Sequence, residues 1–124
     1  GDIILQREFI LEEKETHRSY MDKVCKLLSP MIKELVGDFY RLYQQAVPQK
    51  GGTYIEAPEE QTYTITEDMT VEEADLILRA FYGYECFYKK RDEVRVVING
   101  RAVKEENTES SFYELKDGYI EVVG

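Results

Sequence analysis

The sequence has no tryptophan, one histidine, two cysteines and three prolines in 124 residues. Each scarcity removes a class of function. The lone His17 sits between Thr16 and Arg18 in a charged stretch, and nothing in the sequence brings it to a nucleophile. A Ser-His-Asp or Cys-His pair is therefore not signalled, and His17 reads as an exposed helical histidine. Two cysteines without a CxxC pair exclude the common zinc spacings. Cys25 lies on a helical pattern and Cys86 in an aromatic run, so both read as small buried hydrophobes, with a disulfide left open for an exported chain. No run of about 18 apolar residues occurs, which excludes a membrane-spanning helix. No GxGxxG, P-loop, HExxH or GxSxG motif is present, nor an EF-hand spacing. Catalytic, cofactor-binding and metal-binding residues are accordingly assigned as none, and the chain leans away from an enzyme.

Positive charge is also scarce. Sixteen Lys and Arg stand against 25 Asp and Glu, a net charge of −9. That excludes direct binding to nucleic-acid phosphates or anionic membranes as the main role. It fits a basic protein partner or simple solubility. Glu56, Glu59, Glu60, Glu67, Asp68, Glu72, Glu73 and Asp75 form a local acidic concentration. Glu72 and Glu73 also suit a helix N-terminus.

What is abundant is tyrosine, ten of them, and β-branched strand pattern in the C-terminal third. The stretch from Glu93 to Val123 organises the reading. Asn99-Gly100 and Asp117-Gly118 are strong hairpin signals between apolar runs. A loop at Asn99-Gly100 would pair Val97 with Ala102 and Val96 with Val103. It would set Val94, Val96, Ile98 and Val103 on a covered face, with Arg95 and Lys104 opposite. A loop at Asp117-Gly118 would pair Leu115 with Ile120 and Tyr113 with Val122, pointing to the core. The same register sets Glu114 against Glu121, an unfavourable like-charge pair.

Upstream, residues 2–17 fit a helix or a short strand, and the run Glu12 to Glu15 favours a helix. Met21, Val24 and Leu28 mark a first helix. Ser29-Pro30 reads as the start of a second, carrying Met31 to Ala46, with Pro at its first position. Residues 53–56 and 62–66 read as two short strands around an acidic loop. Thr70 with Glu73 is a capping box opening a third helix, whose buried face is Val71, Ala74, Leu78 and Phe81 and whose C-cap is Gly83.

The fold class expected is α+β. An antiparallel sheet of about four to six strands, from the C-terminal half plus a hairpin near 53–66, would pack on two N-terminal helices and one middle helix. Residues 1–124 would form one domain, with a helical part at 2–47 and a strand-helix-strand part at 53–123. The element order is similar to that of cone-shaped NTF2-like and cystatin-like folds.

The segment Phe81 to Tyr88 holds five aromatics in eight residues, more than one buried face accommodates. Tyrosine suits interfaces. Tyr82, Tyr84, Phe87 and Tyr88, with the acidic loop residues Glu59 and Glu60, are the candidate partner-binding residues. The expected function is a non-catalytic interaction domain with a protein partner and no cofactor. The start at Gly1-Asp2, without Met, leads to the expectation of an exported or membrane-anchored protein. Two alternatives are an acidic inhibitor of a basic partner and a cone-shaped domain with a small-molecule pocket near Tyr20, Tyr43, Tyr84 and Asp75.

Overall fold

Helix α1 runs from His17 to Gly37 and passes through Pro30 without ending. The expected boundary at Ser29-Pro30 is therefore not a helix start. Proline inside a helix removes one backbone bond, freeing the carbonyl of the residue four positions earlier. Here that residue is Lys26, and both Lys26 and Pro30 are exposed, so water reaches the freed group. The break falls instead after Gly37, a poor helix former, and α2 spans Phe39–Gln44. Leu42 is the buried residue of α2. Residues 2–13 form no helix; Ile3 makes a two-bond bridge with Val47 at 2.7 and 3.0 Å. Residues 53–56 form no strand. They follow Gly51 and Gly52, which hold φ of 72° and 102°.

This computed structural model describes residues 1–105 and 113–122. Parts of the Glu93–Val123 stretch, residues 106–112 and Val123, lie outside the described residues. The chain divides into two compact units. The first comprises Gly1–Glu13 and Ser19–Glu56, and the second comprises Lys14–Arg18 and Ala57–Gly124.

Among the described residues the second unit holds six strands in two sheets of three, rather than one sheet. A 3₁₀ turn over Glu60–Tyr63 leads into β1, Thr64–Thr66. Then come α3 (Val71–Ala80), β2 (Cys86–Lys90), β3 (Glu93–Val97), β4 (Gly100–Val103), β5 (Glu114–Leu115) and β6 (Gly118–Val122). The first sheet has the order β1-β2-β3 and the second β4-β6-β5. β1 runs parallel to β2, with α3 as the crossover, so the segment near 53–66 makes no hairpin. The chain is thus α+β, with three helices and two small sheets.

Helix α3 begins as its sequence requires. The Thr70 hydroxyl accepts from the Glu73 N–H, and the Glu73 carboxylate accepts from the Thr70 N–H. A third orphan donor, the Val71 N–H, is satisfied by the Asp117 carboxylate at 2.7 Å. Val71, Ala74 and Leu78 face inward at helical spacing. They pack with Ile65, Tyr88 and Val97 of the first sheet and Leu115 and Ile120 of the second. Each large apolar member of this cluster stabilises the fold by about 1.5–3 kcal/mol when fully buried.

The two glycine turn signals act differently from expectation. Asn99-Gly100 makes no hairpin: β3 pairs with β2, and β4 pairs with β6. The chain leaves one sheet at Val97 and enters the other at Gly100. Gly100 has no positive φ. What it supplies is closeness, since a Cβ there would lie 2.7 Å from Val97 Cγ1 and 2.9 Å from Leu78 Cδ2. The Asp117-Gly118 hairpin forms with its loop one residue earlier than expected, which shifts each pairing partner by two positions. Leu115 pairs with Gly118 and Glu114 with Tyr119, so Lys116-Asp117 is the loop. The shift removes the expected clash of Glu114 with Glu121. Glu121 instead lies opposite Arg101 and is bridged to it.

Gly118 sets the tightest constraint. A Cβ there would stand 2.3 Å from the Val103 carbonyl oxygen and 2.4 Å from Val71 Cγ2. Gly118→Ala is expected to destabilise the chain by about 1–3 kcal/mol, the usual range for overpacking, as a lower denaturant midpoint. Gly37→Ala, with nothing within 4 Å of the added carbon, is expected to be neutral or to stabilise by up to about 1 kcal/mol.

Candidate interaction surface

Strand alternation gives the first sheet two unlike faces. The inner face carries Ile65, Cys86, Tyr88 and Val97, all buried. The outer face carries Thr64 and Thr66 from β1, Phe87 and Lys89 from β2, and Val94 and Val96 from β3, paired as Thr64↔Phe87↔Val96 and Thr66↔Lys89↔Val94. Val94, Val96 and the following Ile98 are 53%, 51% and 48% exposed. The alternation of Val94 and Val96 is as expected, whereas Ile98 falls in the bend beyond the end of β3. The face the two valines occupy is the uncovered one, because α3 lies against Val97. Phe87 is half-buried, with its ring 5.8 Å from that of Tyr63, which in turn is 5.4 Å from Phe81. Two valines and an aromatic thus share one surface, and the exposed Ile98 follows just past the end of β3.

The same face turns polar toward β1. Glu59, Glu60, Gln61, Thr64, Thr66 and Lys89 border an open depression of about 520 Å³. Lys89 Nζ donates to Glu60 at 3.0 Å, and Gln61 donates to Glu59 at 2.9 Å. The Thr64 hydroxyl donates to the Glu60 carbonyl at 2.8 Å, which is how a buried threonine is accommodated there. Thr66 donates to Asp68, and that hydrogen bond holds the Asp68 carboxyl below its ordinary pKa. With two glutamates against one lysine, this end of the face is net negative.

The six candidate residues divide. Phe87, Glu59 and Glu60 meet on or beside the outer face. Tyr88 points the other way and is 1% exposed, in the core, where its hydroxyl donates to the Glu114 carbonyl at 2.6 Å. Its alternation with Phe87 leaves no other arrangement in a paired strand. Burial, then Glu67 and Glu114, push the Tyr88 phenol up to about 12. Tyr82 and Tyr84 lie apart, beside residues 14–18. Arg18 stands over the Tyr82 ring at 5.6 Å, and His17 meets the Tyr84 ring edge-on at 4.9 Å. His17 is therefore half-buried rather than exposed.

The acidic concentration is not one continuous patch. Asp75 accepts from Arg79 at 2.8 Å and Lys14 at 3.1 Å. Burial pushes its carboxyl up, and these two hydrogen bonds outweigh that and leave it lowered. Glu72 pairs with Lys104 at 3.4 Å, and Glu73 closes the α3 cap. Glu67 stands 3.9 Å from Lys90, which also holds Glu114 at 2.7 Å. Among the described residues no group of three or more His, Cys, Asp or Glu converges as a metal site, and no helix is long and apolar enough to cross a membrane. Cys25 and Cys86 are free thiols, Cys25 exposed and Cys86 buried, with burial raising the Cys86 pKa.

No protein-family model, curated protein or solved structure matches the chain.

The Tyr88 phenol gives a pH test. It stays neutral in the fold up to about 12, whereas in the unfolded chain it ionises near 10. Its contribution is fully present below pH 10 and is lost as pH rises from 10 toward 12. Chemical denaturation across that range is expected to show a decline that is shallower in Tyr88→Phe. At neutral pH the same variant is expected to lose about 1 kcal/mol with its hydrogen bond.

Proposed function

We propose that this chain is a protein-interaction module whose contact surface is the outer face of the first sheet. The partner presents an extended segment that combines apolar and basic side chains. The observation that carries this reading is the exposure of Val94 and Val96 beside Phe87, on the face that ends in Glu59 and Glu60, with the exposed Ile98 just past the end of β3. Side chains of this kind grouped on one surface mark contact sites more often than isolated apolar residues do. Apolar contacts would supply affinity, and the glutamates would select a basic partner and speed encounter. The chain's net charge of −9 favours the same sign of partner.

The acidic-inhibitor alternative has less support, because Glu72, Glu73 and Asp75, away from the outer face, are committed to neighbours within the fold. A catalytic reading has less still, since Asp75 is held in two ion pairs and the cluster around α3 is filled by Tyr88, Ile65, Ile120 and Val97.

Selection of a random displayed-peptide library against the folded chain tests the proposal. The expected enrichment is of peptides alternating apolar residues with Lys or Arg. Their affinity is expected to fall at least about tenfold with Val96→Glu and with Glu60→Lys, and to weaken with added salt. Enrichment of acidic peptides, or binding unmoved by both substitutions, overturns the reading.

A further inference from the structure

We infer that the outer edge of β3 is a self-pairing edge, which joins two copies of this chain antiparallel about a two-fold axis through Val94. This concerns the strand's edge rather than its face, and so stands apart from partner recognition.

Among the described residues β3 is bonded on one side, to β2. A sheet edge exposes unpaired N–H and C=O groups and is a template for another strand. The β2–β3 hairpin has the two-residue loop Arg91-Asp92 and closes on the pair Lys90↔Glu93. Two-residue loops close on a hydrogen-bonded pair, and such pairs alternate along the ladder. Glu93, Arg95 and Val97 therefore direct their backbone groups to β2, and Val94, Val96 and Ile98 direct theirs outward. The Ile98 carbonyl conforms, accepting from the Gly83 N–H at 3.2 Å, outside the sheet.

Three antiparallel registers place outward-directed residues opposite each other near the strand centre. A two-fold axis through Val96 needs the Ile98 carbonyl, which Gly83 already occupies. An axis through Arg95 sets two arginines directly opposite, which is unfavourable. An axis through Val94 sets Val94 against its own copy, with Glu93 opposite the copy's Arg95 on one side and Arg95 opposite the copy's Glu93 on the other. Lys90 already lies across from Glu93 within the sheet. Each row then reads Lys90, Glu93, and Arg95 of the second copy, with alternating sign. The strand is complementary to itself in charge, as an isologous contact requires. On the other face Val94 of the two copies would lie side by side. The second copy is therefore the occupant that this edge fits.

Sedimentation velocity at low salt, across a range of chain concentrations, tests it. Wild type is expected to show a concentration-dependent dimer. Arg95→Glu, which opposes like charges in both rows, is expected to raise the dimer dissociation constant at least about tenfold. The double variant Glu93→Arg with Arg95→Glu rebuilds the two cross-copy pairs in reverse, at the cost of a like-charge contact with Lys90 inside each sheet, and is expected to dimerise more tightly than Arg95→Glu alone. Both side chains are about half exposed, and circular dichroism of each variant checks the fold. In a Cys25→Ser background, Val94→Cys is expected to oxidise to a covalent dimer, because hydrogen-bonded partners sit about 5.5 Å apart at Cα, within disulfide reach. Val96→Cys, opposite Asp92, is expected not to. A wild type that is monomeric at every concentration, or a double variant no better than Arg95→Glu, overturns the inference.

Discussion

The backbone N–H of Val71 donates to the carboxylate of Asp117, 46 positions along the chain, and much of the second unit follows from that bond. It places the β5–β6 loop against the first turn of α3. The Lys116 N–H reinforces it by donating to the Met69 carbonyl at 2.9 Å. With the loop held there, Gly118 must pass between Val71 and the Val103 carbonyl, where no side chain fits. β6 then runs beside β4, and Ile120 enters the cluster under α3. A helix start thus acts as the fastening point for a whole sheet. Its three donors are met by a hydroxyl and two carboxylates rather than by water, and an N-terminal turn also favours negative charge.

The crossing from one sheet to the other explains how the two share one core. β3 and β4 are separated by two residues yet belong to different sheets. Gly100 lets the backbone turn the corner within van der Waals reach of Val97, Leu78 and Ile120. Across the gap, Lys90 joins Glu67 and Glu114, and the Tyr88 hydroxyl donates to the Glu114 carbonyl. β2 and β5 are therefore tied by one charged and one neutral contact, both on Glu114. The neutral one is buried, where hydrogen bonds are hardest to forgo.

How much of this was readable varies with the length scale. The capping box at Thr70 and Glu73 and the positions Val71, Ala74 and Leu78 are local patterns and appear as written, whereas Phe81, expected on the same buried face, is the half-buried C-cap in place of Gly83. The alternation of Val94 and Val96 was equally plain, but which face is covered depends on where α3 lands. That is set by contacts remote in sequence from the strand. Asn99-Gly100 misleads because glycine has two uses, positive φ and close approach, and a dipeptide does not distinguish them. Pro30 misleads because its cost of about 3 kcal/mol can be borne inside a long helix when the freed carbonyl is hydrated. Of the candidate surface, Phe87, Glu59 and Glu60 were legible. Tyr88 was not separable from Phe87 by composition, only by strand parity.

The uneven burial of the two units has a consequence for how the chain opens. α1, which from Ser19 on belongs to the first unit, has no buried residue over its 21 positions, and α2 contributes Leu42. The second unit holds the eight-residue cluster around α3. Amide hydrogens report this directly, since exchange needs local opening and opening is cheapest where least apolar surface is lost. The α1 amides belong to the fast-exchanging class, and those of Ile65, Tyr88 and Ile120 to the slowest. Unfolding would then be graded along the chain, with the first protease cuts falling in α1.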